Sequence, residues 1–166
     1  MKKTLATGLV LVQAVALVSS AFAGAVKTHL ESMKASGKPE VFAIDHGEYV
    51  CSSCEPPVKL RVNVGAQKVA GHSEYDQMVV AIRSPTSIEI VEELNGKHQA
   101  YYGYKVSADG KTLTVTYSDW STGKEEKGGY TATRVAPGPA GSHAVSGSWK
   151  VVQTQDESSG TSQHPH

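Results

Sequence analysis

Apolar residues recur at every second position through much of this chain, and that period fits a strand with one dry face and one wet face. Val58, Leu60, Val62 and Val64 alternate with Lys59, Arg61 and Asn63. Met78, Val80 and Ile82 continue the pattern, followed by Ile88 and Ile90, then Tyr102, Tyr104 and Val106, then Leu113, Val115 and Tyr117. Between these runs stand Asn95-Gly96 and Asp109-Gly110, dipeptides that favour the positive φ of tight primed turns. The second should join two adjacent antiparallel strands. Gly65 to Lys68 and Ser121 to Lys127 read as looser turns. Short strands at this spacing predict an all-β fold, an antiparallel meander of about eight strands closing into a small barrel, half-barrel or sandwich.

The β domain is predicted over 41–152, with different chemistry on either side. Residues 1–23 have the makings of a secretory signal peptide. Lys2 and Lys3 precede an apolar run from Leu5 to Val18, and Ala21-Phe22-Ala23 supplies a small-x-small cleavage pattern. The run is shorter than the roughly 20 apolar residues that span a bilayer, and no cysteine follows it to take a lipid. The expected destination is the periplasm or medium of a bacterium, an oxidising compartment. Residues 24–40 form a lead-in in which Val26, Leu30 and Met33 share one helical face before Gly37 and Pro39 stop it. Ala136 to His143 is linker-like, and a last strand is expected around Val145 to Val152. Residues 153–166 offer nothing apolar to bury and are expected to be disordered.

Charge removes several classes of partner. Sixteen Lys and Arg balance 16 Asp and Glu, so no basic field draws nucleic acid or anionic lipid. No stretch beyond the leader is apolar enough for stable membrane insertion.

The sharpest chemical feature is Cys51-Ser52-Ser53-Cys54. A thioredoxin-like centre needs its first cysteine at a helix N-terminus, yet Glu55-Pro56-Pro57 and a strand follow. Covalent haem attachment needs histidine after the second cysteine, and position 55 is Glu. Zinc needs two further ligands; His46 and His72 are of the right type, but their spacing fits no standard template. A local structural disulfide between Cys51 and Cys54 is the favoured reading, with thiol-redox or metal binding as the alternative.

No serine elbow, Walker loop or dinucleotide fingerprint is present, so no catalytic residue, metal site or cofactor is assigned. Asp45, Glu48, Asp76, Glu89, Glu92, Glu93 and Asp119 could serve acid–base work by type, although Glu89 and Glu93 are more simply the wet face of a strand. Tyrosine supplies seven aromatics against two Phe and two Trp. If Tyr102 and Tyr104 face inward, they could line a barrel mouth for a small apolar or amphipathic guest, or fill a small core with their hydroxyls at the rim.

Several segments, in order, resemble a family of exported bacterial β-rich proteins without an established activity. They are Cys51-Ser52-Ser53-Cys54-Glu55-Pro56-Pro57-Val58, Tyr75-Asp76, Ser107 to Thr112, and Ala136 to His143 running on to Ser146-Gly147-Ser148-Trp149. The resemblance spans roughly residues 27–150. It implies lipocalin-type or half-barrel modules, often duplicated, with no functional residue to carry over. In that family the Ser-Gly-Ser-Trp segment looks like the start of a second module, whereas a polar tail follows Trp149 here. Either one module folds alone, or an exposed sheet edge pairs with a second copy in a homodimer. The expected function is an exported, non-enzymatic module that binds a small molecule or mediates a protein contact.

Overall fold

A computed structural model describes residues 24–156; the predicted leader and residues 157–166 lie outside the described residues. Helix α1 (Ala25–Ser36) leads into ten strands: β1 (Glu40–Asp45), β2 (Glu48–Cys51), β3 (Val58–Arg61), β4 (Gln67–Lys68), β5 (Gln77–Ser84), β6 (Ser87–Leu94), β7 (Lys97–Val106), β8 (Thr112–Asp119), β9 (Glu126–Pro137) and β10 (Gly147–Asp156). They form one antiparallel sheet in the order β3-β2-β1-β10-β9-β8-β7-β6-β5-β4. The chain therefore winds as a meander whose first strand pairs with its last, and the sheet is nearly closed into a barrel.

The strand number is ten rather than the expected eight. Two features hid the others. β4 is two residues long and carries only Gln67 and Lys68, so it has no apolar period to detect. β1 and β2 are joined by His46-Gly47, with φ of 50° and 76°, a primed turn built without the Asn or Asp that usually signals one. Asn95-Gly96 makes the expected turn, with φ of 51° and 77°. Asp109-Gly110 does join adjacent strands, Val106 facing Leu113, but through a wider loop. There Asp109 Oδ1 accepts from the Ser107 hydroxyl at 2.6 Å and the Lys111 N–H at 3.0 Å, and only Gly110 of the pair has positive φ.

The last strand also outruns its expected end. Gln153 to Asp156 stay in β10 against Gly128 to Thr131, with a register shift between Val151 and Gln153. Backbone pairing, not side-chain burial, holds those residues, so hydropathy could not reveal them. The linker-like segment is likewise held in place. His143 N–H donates to Ile44 O at 2.9 Å, and its Nε2 is hydrogen-bonded to Ser84 O at 2.7 Å.

Alternation sorts the wall. Phe42, Ile44, Val80, Ile88, Ile90, Leu113, Val115, Ala132, Trp149 and Val151 are buried in one core. α1 covers one end, burying Val26 and Leu30 with Met33 against the same core. Gly37 (φ 65°) ends it by donating its N–H to Met33 O. The opposite end is filled by Trp149. Its indole Nε1–H donates to Val145 O at 2.9 Å, and the Arg134 guanidinium lies 4.1 Å above its ring. Arg134 in turn donates to Gly110 O, Ser146 O and Ala144 O.

The wall's only seam in strand order lies between β3 and β4, and side chains bridge it. The Gln67 amide imitates a peptide, accepting from the Arg61 N–H at 3.0 Å and donating to Arg61 O at 2.8 Å. Asn63 does the same toward β5. Its N–H reaches Val80 O at 2.9 Å, and its Oδ1 accepts from the Ile82 N–H at 2.8 Å.

Candidate functional site

Two glutamates occupy inward positions where the alternation would otherwise place aliphatic residues. Glu40 precedes Phe42 and Ile44 on β1, and Glu92 follows Ile88 and Ile90 on β6. Glu92 lies level with Ala100 and Asp119 toward the α1 end, whereas Glu40 is the cross-strand partner of Trp149. The Tyr130 hydroxyl donates to Glu40 Oε1 at 2.9 Å and Oε2 at 3.2 Å. The Tyr102 hydroxyl donates to Glu92 Oε2 at 3.4 Å. Tyr104 interacts with both Glu40 and Tyr130, and Tyr49 feels the charge of both glutamates.

Tyr102 and Tyr104 lie inside, a setting common to both expectations for them, the lining of a mouth and the filling of a small core. Their rings are 6.1 Å apart, and Tyr104 meets Phe42 edge-on at 5.6 Å. Both are partly buried and packed against the core. Glu40, Glu92, Tyr102 and Tyr104 each retain some water-accessible surface, unlike the sealed Val80, Leu113 and Val115.

Enclosure sets the protonation of this group. Burial pushes the Glu40 carboxyl up to about 7, opposed by its hydrogen bond from Tyr130. Burial likewise pushes Glu92 up to about 8, opposed by Tyr102 and assisted by the negative charges of Asp119 and Glu74. Burial raises the phenols of Tyr49, Tyr75, Tyr102, Tyr104 and Tyr130 above their ordinary value, with the nearby glutamates adding to the shift. The tyrosines therefore remain hydroxyl donors near neutral pH, while the two carboxyls can exchange protons there. The ensemble can orient a polar group by donating or accepting hydrogen bonds.

Sequence reading included Glu92 only among acids sorted by type and overlooked Glu40 at the lead-in boundary. Continuing the inward alternation Ile88-Ile90-Glu92, and running it back from Ile44 and Phe42 to Glu40, identifies both. Glu89 behaves as the wet-face residue expected, paired outward with Arg83 Nη2 at 2.6 Å. Asp119, by contrast, is buried at 2% exposure and belongs to the seat of α1.

Cys51 and Cys54 are at disulfide-bonding distance, with Cα atoms 5.5 Å apart. Cys51 is the last residue of β2 and Cys54 lies between β2 and β3, with no helix at either cysteine, so the helix N-terminus that stabilises a redox thiolate is missing. Among the described residues no group of three His, Cys, Asp or Glu could hold a metal ion. A loop this small restricts little unfolded-state freedom, and the loop-entropy relation gives about 2 kcal/mol at most. Reduction, or a Cys51→Ala/Cys54→Ala double variant, should lower the melting temperature by only about 4–8 °C and leave a folded barrel, as measured by thermal unfolding with and without reductant.

An open depression of about 560 Å³ lies at the opposite mouth, lined by residues including Ile44, Asp45, His46, Ile82, Pro85 and His143. His46 there is almost fully exposed, 3.1 Å from Asp45. The depression gives a guest little enclosure, whereas the Glu–Tyr group is surrounded by wall.

The chain matches no protein-family model and shows no significant similarity to a curated protein or a solved structure. No helix among the described residues is long and apolar enough to cross a membrane.

Proposed function

We propose that this chain is an exported, non-enzymatic, lipocalin-like β module, released to the periplasm or medium of a bacterium, that holds a small amphipathic molecule inside its barrel beside the two glutamates. The observation that carries this reading is the inward placement of Glu40 and Glu92, hydrogen-bonded to Tyr130 and Tyr102, with surface still open to water. A barrel with no guest to orient would be more stable with well-packed apolar residues at these positions, because each buried polar group costs desolvation. The apolar part of a guest would lie against Phe42 and Ile90, with its hydroxyl or amine turned to the carboxyl–phenol pairs.

Native mass spectrometry of protein taken from the exported fraction, without added ligand or chelator, tests the proposal. A one-to-one organic adduct is expected, reduced at least tenfold in occupancy by Glu92→Gln with Tyr102→Phe. A bare monomer, with hydrogen exchange showing a solid interior, would overturn binding. A dimer whose formation tracks no adduct would replace it with a contact role.

A further inference from the structure

We propose that Gly24 is the amino terminus of the mature chain and that Glu126 and Asp119 receive its α-ammonium, so that processing completes the seat of α1. Three successive backbone N–H groups at the start of the helix meet side chains from the β8–β9 end of the wall. Gly24 donates to Glu126 Oε2 at 3.3 Å, Ala25 to Ser121 Oγ at 3.0 Å, and Val26 to Asp119 Oδ2 at 3.0 Å. Asp119 Oδ1 is held by the Ser121 N–H at 2.8 Å. Gly24 is itself buried. A Cβ there would collide with Asp119 Oδ2 and lie 2.9 Å from Glu126 Oε2, so the two carboxylates close directly on the Gly24 backbone.

With Gly24 in peptide linkage, Glu126 accepts from the Gly24 N–H and the Thr122 hydroxyl, and Asp119 from the Val26 and Ser121 N–H groups, all neutral donors. An ammonium offers three donors and the opposite charge, and its bonds to carboxylates are roughly twice as strong as neutral ones. The helix alone would disfavour a cation at its N-terminus, and Asp119 and Glu126 reverse that field. Lys27 on the first turn and Lys124 on the β8–β9 loop are the nearby cations in sequence; Glu126 Oε2 accepts from the Gly24 N–H itself, and Asp119 Oδ2 lies beside the Gly24 backbone and accepts from the Val26 N–H.

The position agrees with the small-x-small pattern at Ala21-Phe22-Ala23, which places cleavage before Gly24. A signal peptidase would hydrolyse the Ala23–Gly24 bond with one water. The hydroxyl goes to the Ala23 carbonyl carbon and a proton to the Gly24 nitrogen, and the released amine takes up a further proton near neutral pH.

The test starts from the full chain expressed in an exporting bacterium, with intact mass and α-amine reactivity measured on the exported product. The mass should correspond to 143 residues, the 166 of the chain less 23. The α-amine should titrate above the usual 7.7–8.0 and acylate about tenfold more slowly at pH 8 than that of an unfolded glycyl peptide. Glu126→Gln, at a half-buried position where the barrel can tolerate it, should restore most of that reactivity. Because the folded value is raised, the added stability is fully present below about pH 8 and is lost at higher pH as the amine gives up its proton. A different first residue would overturn the proposal. So would an α-amine of ordinary reactivity that Glu126→Gln leaves unchanged, which would make Asp119 and Glu126 simple caps of α1.

Discussion

Raising the pH from 5 to 8.5 should weaken the barrel by a few kcal/mol, the reverse of the usual behaviour of native carboxylates. The sign follows from Glu40 and Glu92, whose carboxyls burial pushes up to about 7 and about 8, against about 4.3 in an unfolded chain. Between these limits the native state holds protons that the unfolded chain has released, so unfolding free energy falls as pH rises. This contribution is fully present below about pH 4.3 and is gone once pH passes through about 8. The ceiling is about 1.4 kcal/mol per pH unit per group, and water reaching the site reduces it. Urea unfolding at half-unit pH intervals reads the slope directly. Glu40→Gln and Glu92→Gln should each flatten it, because Gln keeps the shape and can still accept from Tyr130 or Tyr102. A slope that neither variant changes would show that these carboxyls ionise as freely as exposed ones.

Trp149→Ala should be the most damaging single core substitution, costing about 3–5 kcal/mol. Trp149 has 0% exposure, and its removal leaves the largest void available to one truncation in the sealed core. It also leaves Val145 O without its indole donor and takes away the ring beneath Arg134. Arg134 keeps its three carbonyl partners, so the charge stays hydrogen-bonded and the loss is mainly one of packing. Trp149→Phe should restore much of the volume but not the indole donor, at a cost of about 1–2 kcal/mol. Urea midpoints at pH 6 measure both, and equal values for the two variants would mean that packing beneath Arg134 contributes little.

Legibility in the sequence followed the length over which a physical period persists. β5 to β8 are eight to ten residues long and each carries two to four apolar residues at every second position, and Asn95-Gly96 fixes the turn between two of them, so the antiparallel wall could be read directly. β4 gives two residues and no period, and the end of β10 is held only by peptide pairing to β9. Neither leaves a trace in hydropathy. The inward setting of Tyr102 and Tyr104 was foreseen as an option because both sit in phase with Val106. Glu40 was missed, and Glu92 named only as one acid among several, for the opposite reason: an acid in phase with apolar residues looks like the end of a strand rather than part of its lining. Asp119 and Glu126 could not have been paired with Gly24 at all, since only closure of the sheet brings residues about a hundred positions apart into contact.

The side-chain bridge across the seam bears on how the molecule behaves at high concentration. A growing fibril recruits strands by offering an unsatisfied row of peptide groups long enough to register on. Here the terminal strands of the sheet number four and two residues, the side-chain amides of Gln67 and Asn63 already occupy backbone groups of Arg61 and Ile82, and the Asn63 backbone N–H occupies Val80 O. A newcomer would have to evict these internal substitutes before gaining its first ladder bond. The closure therefore acts as a clasp, opening along one line yet presenting little template while it is shut.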